Sequence, residues 1–284
     1  MKKFEIEKNR VPNFIIAGAQ KCGTTSIFKV LYDHTEVFLP ESKEVHFFDR
    51  NQSFNKGIDW YKNFFSKSKS EKVIMDITPN YMNKEYVPER IKKLLPDVKL
   101  IFVLRNPVTR AYSNYWDNIR NQNEHLPFNE AINHNPAYIE KGLYYKHINR
   151  FLEYFNKEDI FIFLSEELFS HPEAFYKKLC SKLDIDFKMI KDMDRVANFA
   201  RVPRIKIVEK TFLSQNRILK IIRRPIPGFL KSFVKKLDEK FNMKKIKRPE
   251  IDEETKKYLK VIFRDDIKSL EKLFDLNLNL WLNY

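Results

Sequence analysis

The segment 14–29 constrains what this chain can fold into more than any other part of it. The apolar run FIIAG at 14–18 has the length and composition of a buried strand, and a helical pattern begins at Thr24. The loop between them carries Gly18 and Gly23. Backbone amides at a helix start, together with the helix dipole, favour an anion at such a junction. The segment therefore predicts a strand, a phosphate-cradling loop and a helix.

Short apolar runs alternate with helical patterns over much of the chain. The predicted strands are 14–18, 37–39, 72–75, 99–104 and 159–164, and the predicted helices are 24–32, 87–95, 107–121, 143–155 and 172–183. Nearly continuous apolar strands imply burial on both faces, and their alternation with helices indicates parallel pairing. We therefore predict an α/β protein with a P-loop-like three-layer fold, in which helices flank a central parallel sheet. Ligands of such sheets bind beyond the carboxyl ends of the strands, so residues 18–26, 76–81 and 105–107 should lie along one edge.

We predict a single domain over residues 1–284, composed of three parts. The nucleotide-binding α/β core spans 11–204, a basic helical insertion spans 205–250, and a C-terminal helix and tail span 251–284. The insertion has the pattern of two basic amphipathic helices, broken where proline and glycine occur at 224–228.

The net charge of +15 indicates polyanionic partners. Most of the excess lies in residues 206–248, which hold 14 Lys and Arg against 3 Asp and Glu, a net charge of +11. We expect this segment to cover an acceptor cleft, to attract an acidic acceptor, or to rest on an anionic membrane surface. A basic nucleic-acid-binding protein is an alternative interpretation of the same segment, but a charge run is usually a solvated face, so we predict no specific nucleic-acid partner.

The cysteines and the apolar runs bear on the chemical setting. Two cysteines, Cys22 in the predicted loop and Cys180 in an apolar helical pattern, do not make a disulfide scaffold. No Cys or His spacing resembles a metal site. No apolar run reaches the about 18 residues of a membrane helix, and the first residues lack a secretory-signal pattern. These features predict a cytoplasmic location, with peripheral contact at a membrane surface as a further expectation.

The predicted loop differs from that of a small-molecule kinase. The kinase-type pattern is glycine, four residues, glycine, lysine and then serine or threonine. Thr24 stands in the lysine position, and the only lysine of the loop is Lys21, three residues earlier. A P-loop small-molecule kinase therefore remains an alternative function, as does an ordinary strand-to-helix turn.

A carboxylate lies close to a lysine and a histidine in the stretch KEVHFF at 43–48. A carboxylate beside a lysine can be held ionised and oriented as a general base, which makes Glu44 a candidate. The alternative interpretation of this stretch is a surface ion pair beside two core phenylalanines.

Two further groups of residues follow predicted strands. Arg105 ends one strand, Asn106 and Pro107 suit the start of the next helix, and Ser113 lies about two turns into it. An arginine with a nearby hydroxyl is a natural phosphate clamp, although Arg105 could equally be a structural ion-pair partner. The stretch 78–81 follows another strand and has the pattern of a turn at the same edge.

Together these motifs resemble the PAPS-dependent sulfotransferases, in which PAPS is 3′-phosphoadenosine 5′-phosphosulfate. Within that superfamily the chain looks most like the heparan-sulfate-type and bacterial branches. The residues that carry the resemblance are AGAQKCGTTS at 17–26, Lys43 to Asp49, Thr78-Pro79-x-Tyr81, and Leu104-Arg105-Asn106-Pro107 with Ser113. The resemblance covers nearly the whole chain.

The resemblance implies transfer of a sulfuryl group from PAPS to a hydroxyl or amine of an acceptor, with PAP, adenosine 3′,5′-bisphosphate, as product and no metal required. Lys21 would stabilise the leaving phosphate, and Glu44 would be the general base, with His46 as the weaker candidate. The implied nucleotide-binding residues are Lys21, Cys22, Gly23, Thr24, Thr25, Ser26, Arg105, Ser113, Arg201 and Arg204. We expect Lys43, Tyr81 and Tyr144 to contact the acceptor, which would be a glycan, a glycolipid or a small alcohol.

The chain departs from the heparan-type pattern at two positions. Thr25 stands where some of those loops have a second basic residue, and Ile77 stands where several members have a lysine before the Thr-Pro turn. Lys43 is a candidate to supply the missing charge. Both departures weigh against heparan sulfate itself as the acceptor.

Overall fold

A five-stranded sheet lies at the centre of the computed structural model, which describes residues 11–190, 193, 201–203, 243–245 and 249–283. For 201–203 and 243–245 only the backbone is described. Arg204, the side chain of Arg201 and the predicted helices of the basic segment 206–248 lie outside these described parts.

All strand pairs of the central sheet are parallel, which confirms the predicted fold class. The strands are β1 (Phe14–Gly18), β2 (Val37–Phe38), β3 (Val73–Ile77), β4 (Lys99–Leu104) and β5 (Ile160–Leu164), in the spatial order β2-β3-β1-β4-β5. Residues of β1 and β3 are buried throughout, as their apolar runs predict. The edge strand β5 is only partly buried.

The helices lie on the connections between these strands and after them. They are α1 (Thr24–Leu31), α2 (Asn51–Phe54), α3 (Ile58–Lys62), α4 (Val87–Leu94), α5 (Pro107–Arg120), α6 (Phe128–His134), α7 (Ala137–Glu140), α8 (Tyr144–Leu152), α9 (Ser165–Ser170), α10 (Pro172–Leu183), α11 (Glu253–Phe274) and α12 (Asn279–Leu282). The five helices predicted within the core are confirmed to within about three residues at each end, as is the long C-terminal helix. The short helices α2, α3, α6, α7, α9 and α12 were not predicted, because a span of four to seven residues is too short to show helical periodicity.

The parallel arrangement brings three connections to one edge of the sheet. The amide of Ala19 donates to the carbonyl of Val103 at 2.8 Å, and the amide of Thr78 donates to the carbonyl of Ile16 at 3.1 Å. The residues that follow β1, β3 and β4 are thereby fixed side by side. The predicted meeting of 18–26, 76–81 and 105–107 is confirmed.

The start of α5 is capped as predicted. The side chain of Asn106 accepts hydrogen bonds from the amides of Val108, at 2.9 Å, and Thr109, at 3.3 Å, while Pro107 occupies the first helical position. Capping fixes where α5 begins, and so fixes Arg105 at the end of the neighbouring strand.

The C-terminal residues pack back onto the same edge. Trp281 is buried, its ring centroid lies 5.9 Å from that of Tyr144, and its carbonyl accepts a bond from Asn106 at 3.5 Å. Two short strands, β6 (Arg201–Pro203) and β7 (Met243–Lys245), pair antiparallel, with Pro203 opposite Met243. Among the described residues, none of the helices has the length and apolar composition needed to cross a membrane.

Candidate active site

The loop after β1 presents backbone donors. Lys21 has φ 71 and Gly23, the N-cap of α1, has φ 93, so both adopt the left-handed conformation that turns successive amides toward one side. The amides of residues 22–25 make no hydrogen bond within the part of the chain that the structure describes. A Cβ on Gly23 would lie 2.7 Å from a methyl carbon of Leu168, so close packing also requires glycine there. These donors at a helix start form an anion site.

The side chain of Lys21 is directed toward α5. Its Nζ lies 3.1 Å from Oδ1 of Asp117, and both side chains are partly buried. Asp117 follows Ser113 by one helical turn, so this ion pair joins the loop to the helix face that carries the predicted phosphate hydroxyl. A phosphate group at the loop would compete with Asp117 for the lysine.

The other loop side chains differ in their access to a ligand. Thr25 is exposed, whereas Thr24 and Ser26 are nearly buried. Cys22 is fully buried, and burial raises the pKa of its thiol to about 12. Cys22 can therefore contribute only its backbone amide to a bound phosphate. Cys180 is buried in α10, as expected for a core cysteine.

Arg105 stands at the mouth of a cavity of about 600 Å³. Its Nε donates to the hydroxyl of Thr109 at 2.8 Å, which leaves the terminal nitrogens of the guanidinium available. The lining also includes Ser165, Glu166, Phe169, Leu280 and Trp281. Within the described residues, the buried Ser165 Oγ and Glu166 Oε2 have no hydrogen-bond partner. Buried polar atoms are normally satisfied, so these two oxygens are unusual features of the cavity wall.

A second, buried arginine lies behind the loop. Arg110 is fully buried in α5, donates to the carbonyl of Tyr138, and donates to Oδ1 of Asn114 at 3.3 Å. Burial lowers the pKa of Arg110. Its Nε has no partner among the described residues. Its charge adds to that of Arg105 and makes this side of the site favourable for anions.

Glu44 lies within a chain of charged groups beside the loop. One of its carboxylate oxygens accepts a hydrogen bond from Lys43, and the other lies 3.5 Å from Nε2 of His46. Nδ1 of the same imidazole lies 2.9 Å from Oδ2 of Asp49. Glu44 and His46 both adopt positive φ, 67 and 54, a costly backbone conformation that persists only where the surroundings hold it.

The pKa values follow from this arrangement. Hydrogen bonding from His46, followed by that from Lys43, outweighs burial and lowers the pKa of Glu44 to about 2. The hydrogen bonds to Asp49 and then to Glu44 raise the pKa of His46 to about 9. Burial would raise the pKa of Asp49, but its bonds from His46 and Asn80 prevail and lower it. At neutral pH the group is therefore two carboxylates joined by an imidazolium.

The buried carboxylate of Asp76 supports the segment that carries Glu44 and His46. Asp76 is fully buried in β3 and accepts bonds from the hydroxyls of Thr78, Tyr61 and Tyr81 at 2.6, 2.9 and 2.8 Å. Burial, opposed by these bonds, raises the pKa of Asp76. The hydroxyl of Tyr81 in turn accepts from the amide of Phe47 at 3.1 Å, so the network holds the backbone that carries Glu44 and His46.

Of the three expected acceptor contacts, the two tyrosines are buried and the lysine is paired with a carboxylate. Tyr81 and Tyr144 are fully buried, and the hydroxyl of Tyr144 donates to the carbonyl of Arg105 at 2.8 Å. Neither ring is accessible to an acceptor, so we assign both tyrosines a supporting role instead. Lys43 is paired with Glu44. It is therefore not free to supply the charge of the lysine that several family members have where this chain has Ile77.

Several residues of the site were not predicted from the sequence. These residues are Asp49, Asn80, Asp117, Lys141 and Glu166. Asp49 and Asp117 contact predicted residues, Glu166 lines the cavity, and Asn80 and Lys141 are linked to the loop through Gln20. Only Asp49 had a local signal, because it follows His46 by three residues. The other four lie far along the chain from their partners.

Titration of His46 tests the charged group directly. We expect its imidazole to titrate near pH 9 in an NMR experiment, and Asp49→Asn should move the pKa toward the ordinary value of 6.5. Because the folded pKa is raised, protonated His46 stabilises the fold fully below about pH 6.5, and this contribution is lost as the pH rises through about 9. His147, whose pKa burial lowers, serves as an internal control that the substitution should not affect. A wild-type His46 pKa near 6.5 would contradict the ion group.

The chain is similar in sequence to curated proteins. The chain is 30% identical over 175 residues to heparan sulfate glucosamine 3-O-sulfotransferase 5 of Homo sapiens, a match that covers 57% of this chain and 50% of that protein. The chain thus spans about half the length of the curated relatives it matches.

Two solved structures share the fold. The crystal structure of a sulfotransferase from Alicyclobacillus acidocaldarius superposes with a TM-score of 0.71 at 23% identity, covering 96% of this chain and 99% of that one. Mouse sulfotransferase SULT7A1 complexed with PAP superposes with a TM-score of 0.51 at 15% identity, covering 92% and 86%. At these identities the likeness concerns the fold alone.

The family match extends over almost the whole chain. The sulfotransferase domain matches residues 11–270, a span that contains the loop, Glu44, Arg105 and most of the C-terminal helix. The predicted resemblance is confirmed, and the chain belongs to the sulfotransferase domain family.

Proposed function

We propose that this protein transfers the sulfuryl group of PAPS to a hydroxyl or amine of an acceptor, with a glycan or glycolipid as the favoured class. The observation that carries the proposal is that the ionised Glu44 shares one edge of the sheet with Arg105 and its cavity, and with a loop whose amides have no partner among the described residues. Such an arrangement offers a base and two separate anion sites to one ligand. PAP, seen bound to the mouse relative, carries phosphates at both its 5′ and 3′ positions.

The residues present fit this donor. The loop amides and Lys21 would hold the 5′-phosphosulfate, and Arg105 with Ser113 would hold the 3′-phosphate. The cavity of about 600 Å³ beside Arg105 provides apolar surface from Phe169, Leu280 and Trp281 for a nucleobase. Ser165 and Glu166 add polar groups to the same lining. Arg201 and Arg204 remain predicted contacts, because their side chains lie outside the described residues.

Glu44 is the proposed base, although its pKa of about 2 makes it a weak one in the unliganded protein. His46 is held by Asp49, whereas Lys43 is bound to Glu44 alone among the described residues. A ligand anion that attracts Lys43 therefore removes one cause of the low pKa and raises the basicity of Glu44. Lys43 therefore remains a proposed substrate contact, because it would bind this ligand anion.

When bound, PAPS supplies an activated sulfuryl group and a phosphate leaving group. Glu44 takes the proton of the acceptor as attack proceeds, and Lys21 with the loop amides neutralises the charge that develops on the leaving phosphate. Lys21 must leave Asp117 to do so. A phosphate oxygen accepts from the ammonium group as the carboxylate oxygen of Asp117 does, and it is the stronger partner.

Calorimetry with PAP tests the donor, and a screen of glycans, glycolipids and small alcohols with labelled PAPS tests the acceptor. We expect PAP to bind without added metal. Binding of ATP that depends on magnesium, with no affinity for PAP, would favour the kinase alternative. In this structure Thr24 begins α1 at the position where that alternative needs a lysine.

The expected membrane contact of 206–248 stays a prediction, since those helices lie outside the described residues.

A further inference from the structure

A continuous series of hydrogen bonds joins the phosphate loop to the proposed base. Nζ of Lys141 donates to Oε1 of Gln20 at 2.8 Å, and Nε2 of Gln20 donates to Oδ1 of Asn80 at 3.1 Å. Nδ2 of Asn80 then donates to Oδ2 of Asp49 at 2.5 Å, the same oxygen that lies 2.9 Å from the imidazole of His46. The series thus runs from Lys141 through Gln20 and Asn80 to Asp49. Asp49 in turn orients His46, the partner of Glu44.

The chemistry of lysine gives this series a single direction. An ammonium group only donates hydrogen bonds, so the oxygen of the Gln20 amide must face Lys141 and its nitrogen must face Asn80. The amide of Asn80 is oriented in the same way, and its nitrogen meets Asp49. The ionised carboxylate of Asp49 only accepts, so it orients Asn80 from the other end. Without Lys141 the oxygen of Gln20 would lose its donor, and the amide of Gln20 would be held by Asn80 alone.

Lys141 is suited to this task by its surroundings. No carboxylate lies within ion-pair distance of Lys141 in the part of the chain that the structure describes, and the neutral amide of Gln20 is its hydrogen-bond partner there. Burial, then the nearby charges of Arg110 and Lys84, lowers its pKa. A partly buried lysine without an acidic partner is costly, which indicates that its position is used.

We infer that Lys141, Gln20 and Asn80 are positioning residues that align Glu44 with the phosphate loop. The inference rests on the proposed function, because the alignment matters only if Glu44 is the base and the loop holds the donor. Gln20 belongs to the loop itself, so the position of the donor phosphates and the position of His46 are linked through two side-chain amides. None of the three residues needs to touch the reacting atoms.

NMR of the unliganded protein tests the series independently of any substrate. The side-chain amide protons of Gln20 and Asn80 should be protected from solvent exchange in the wild type. Lys141→Met should remove most of the protection at Gln20, which loses its partner, and reduce the protection at Asn80, which keeps Asp49. Lys141→Arg, which also only donates, should restore it. Lys146→Met is the matched control, since Lys146 lies nearby but pairs with Glu140 on the surface. Unchanged protection of Gln20 and Asn80 in Lys141→Met would overturn the inference.

Kinetics then test its consequence. Lys141→Met and Asn80→Ala should each lower kcat about tenfold, since small misplacements of reacting groups are costly, while the Kd of PAP and the acceptor KM stay unchanged. The double variant should be no slower than the slower single one, because both break the same series. The inference would be overturned if the losses in kcat of the two single variants multiplied in the double variant. A weaker PAP affinity, or a raised acceptor KM alone, would also overturn it, because Lys141 would then be a ligand contact. A wild type that fails to bind PAP, with the NMR result intact, would refute the proposed function but leave the hydrogen-bond series in place.

Discussion

Replacing Glu44 by glutamine is expected to lower kcat for sulfuryl transfer by about 10²- to 10⁴-fold, the usual contribution of a general base. Glutamine keeps the size of the side chain and can still accept a hydrogen bond from Lys43, but it cannot take a proton from the acceptor. The Kd of PAP should stay unchanged, because the loop and Arg105 bind the nucleotide. Steady-state kinetics with labelled PAPS, together with calorimetry of PAP, measures both quantities.

The neighbouring Glu41 provides the control for this substitution. It lies three residues earlier, is well exposed and forms a surface ion pair with Lys67, so Glu41→Gln should leave kcat unchanged. Near-full activity of Glu44→Gln would show that another group is the base, with His46 as the first to test. A large loss of PAP affinity would show instead that Glu44 organises the donor site.

Arg105→Ala should weaken the binding of PAP by roughly 10- to 150-fold, since hydrogen bonds to a charged group contribute about 1.5–3 kcal/mol. The side chain stands at the mouth of the cavity with its Nε committed to Thr109, so its terminal nitrogens are the ones that can meet a phosphate. Adenosine 5′-phosphate, which lacks the 3′-phosphate, should bind wild type and variant alike. The comparison of the two nucleotides by calorimetry therefore isolates the 3′ contact.

Arg150→Ala is a suitable control, because Arg150 forms an ion pair with Glu85 away from the cavity. Unchanged PAP affinity in Arg105→Ala would refute the 3′-phosphate assignment. An equal loss for both nucleotides would mean that Arg105 shapes the cavity rather than binding that phosphate.

Most of the fold was predictable because its signals are local. The apolar strands β1, β4 and β5 and the helices α5 and α10 lie at or within one residue of their predicted bounds. The prediction for β3 stopped at 75, whereas the strand continues to Ile77 through the fully buried Asp76. A carboxylate normally argues against a buried strand, and only the three hydroxyls that satisfy Asp76 make it possible there.

The site was predictable to a lesser degree. Lys21, Glu44, Arg105 and Ser113 were chosen from short motifs, and the parallel sheet brings their segments to one edge. The aromatic residues Tyr81 and Tyr144 were expected at the acceptor, yet both are buried. An aromatic side chain next to a motif has no local feature that distinguishes a ring in the core from a ring in a binding cleft.

Local patterns along the chain were thus sufficient for the strands, the phosphate loop and the candidate base, because each depends on residues that are neighbours in sequence. The partners of those residues emerged only on folding. Lys21 meets Asp117 on α5, and Gln20 meets Lys141 across 121 residues of chain. Such pairs depend on how helices and loops pack against the sheet, and packing is set by the burial of the whole core rather than by any segment within it.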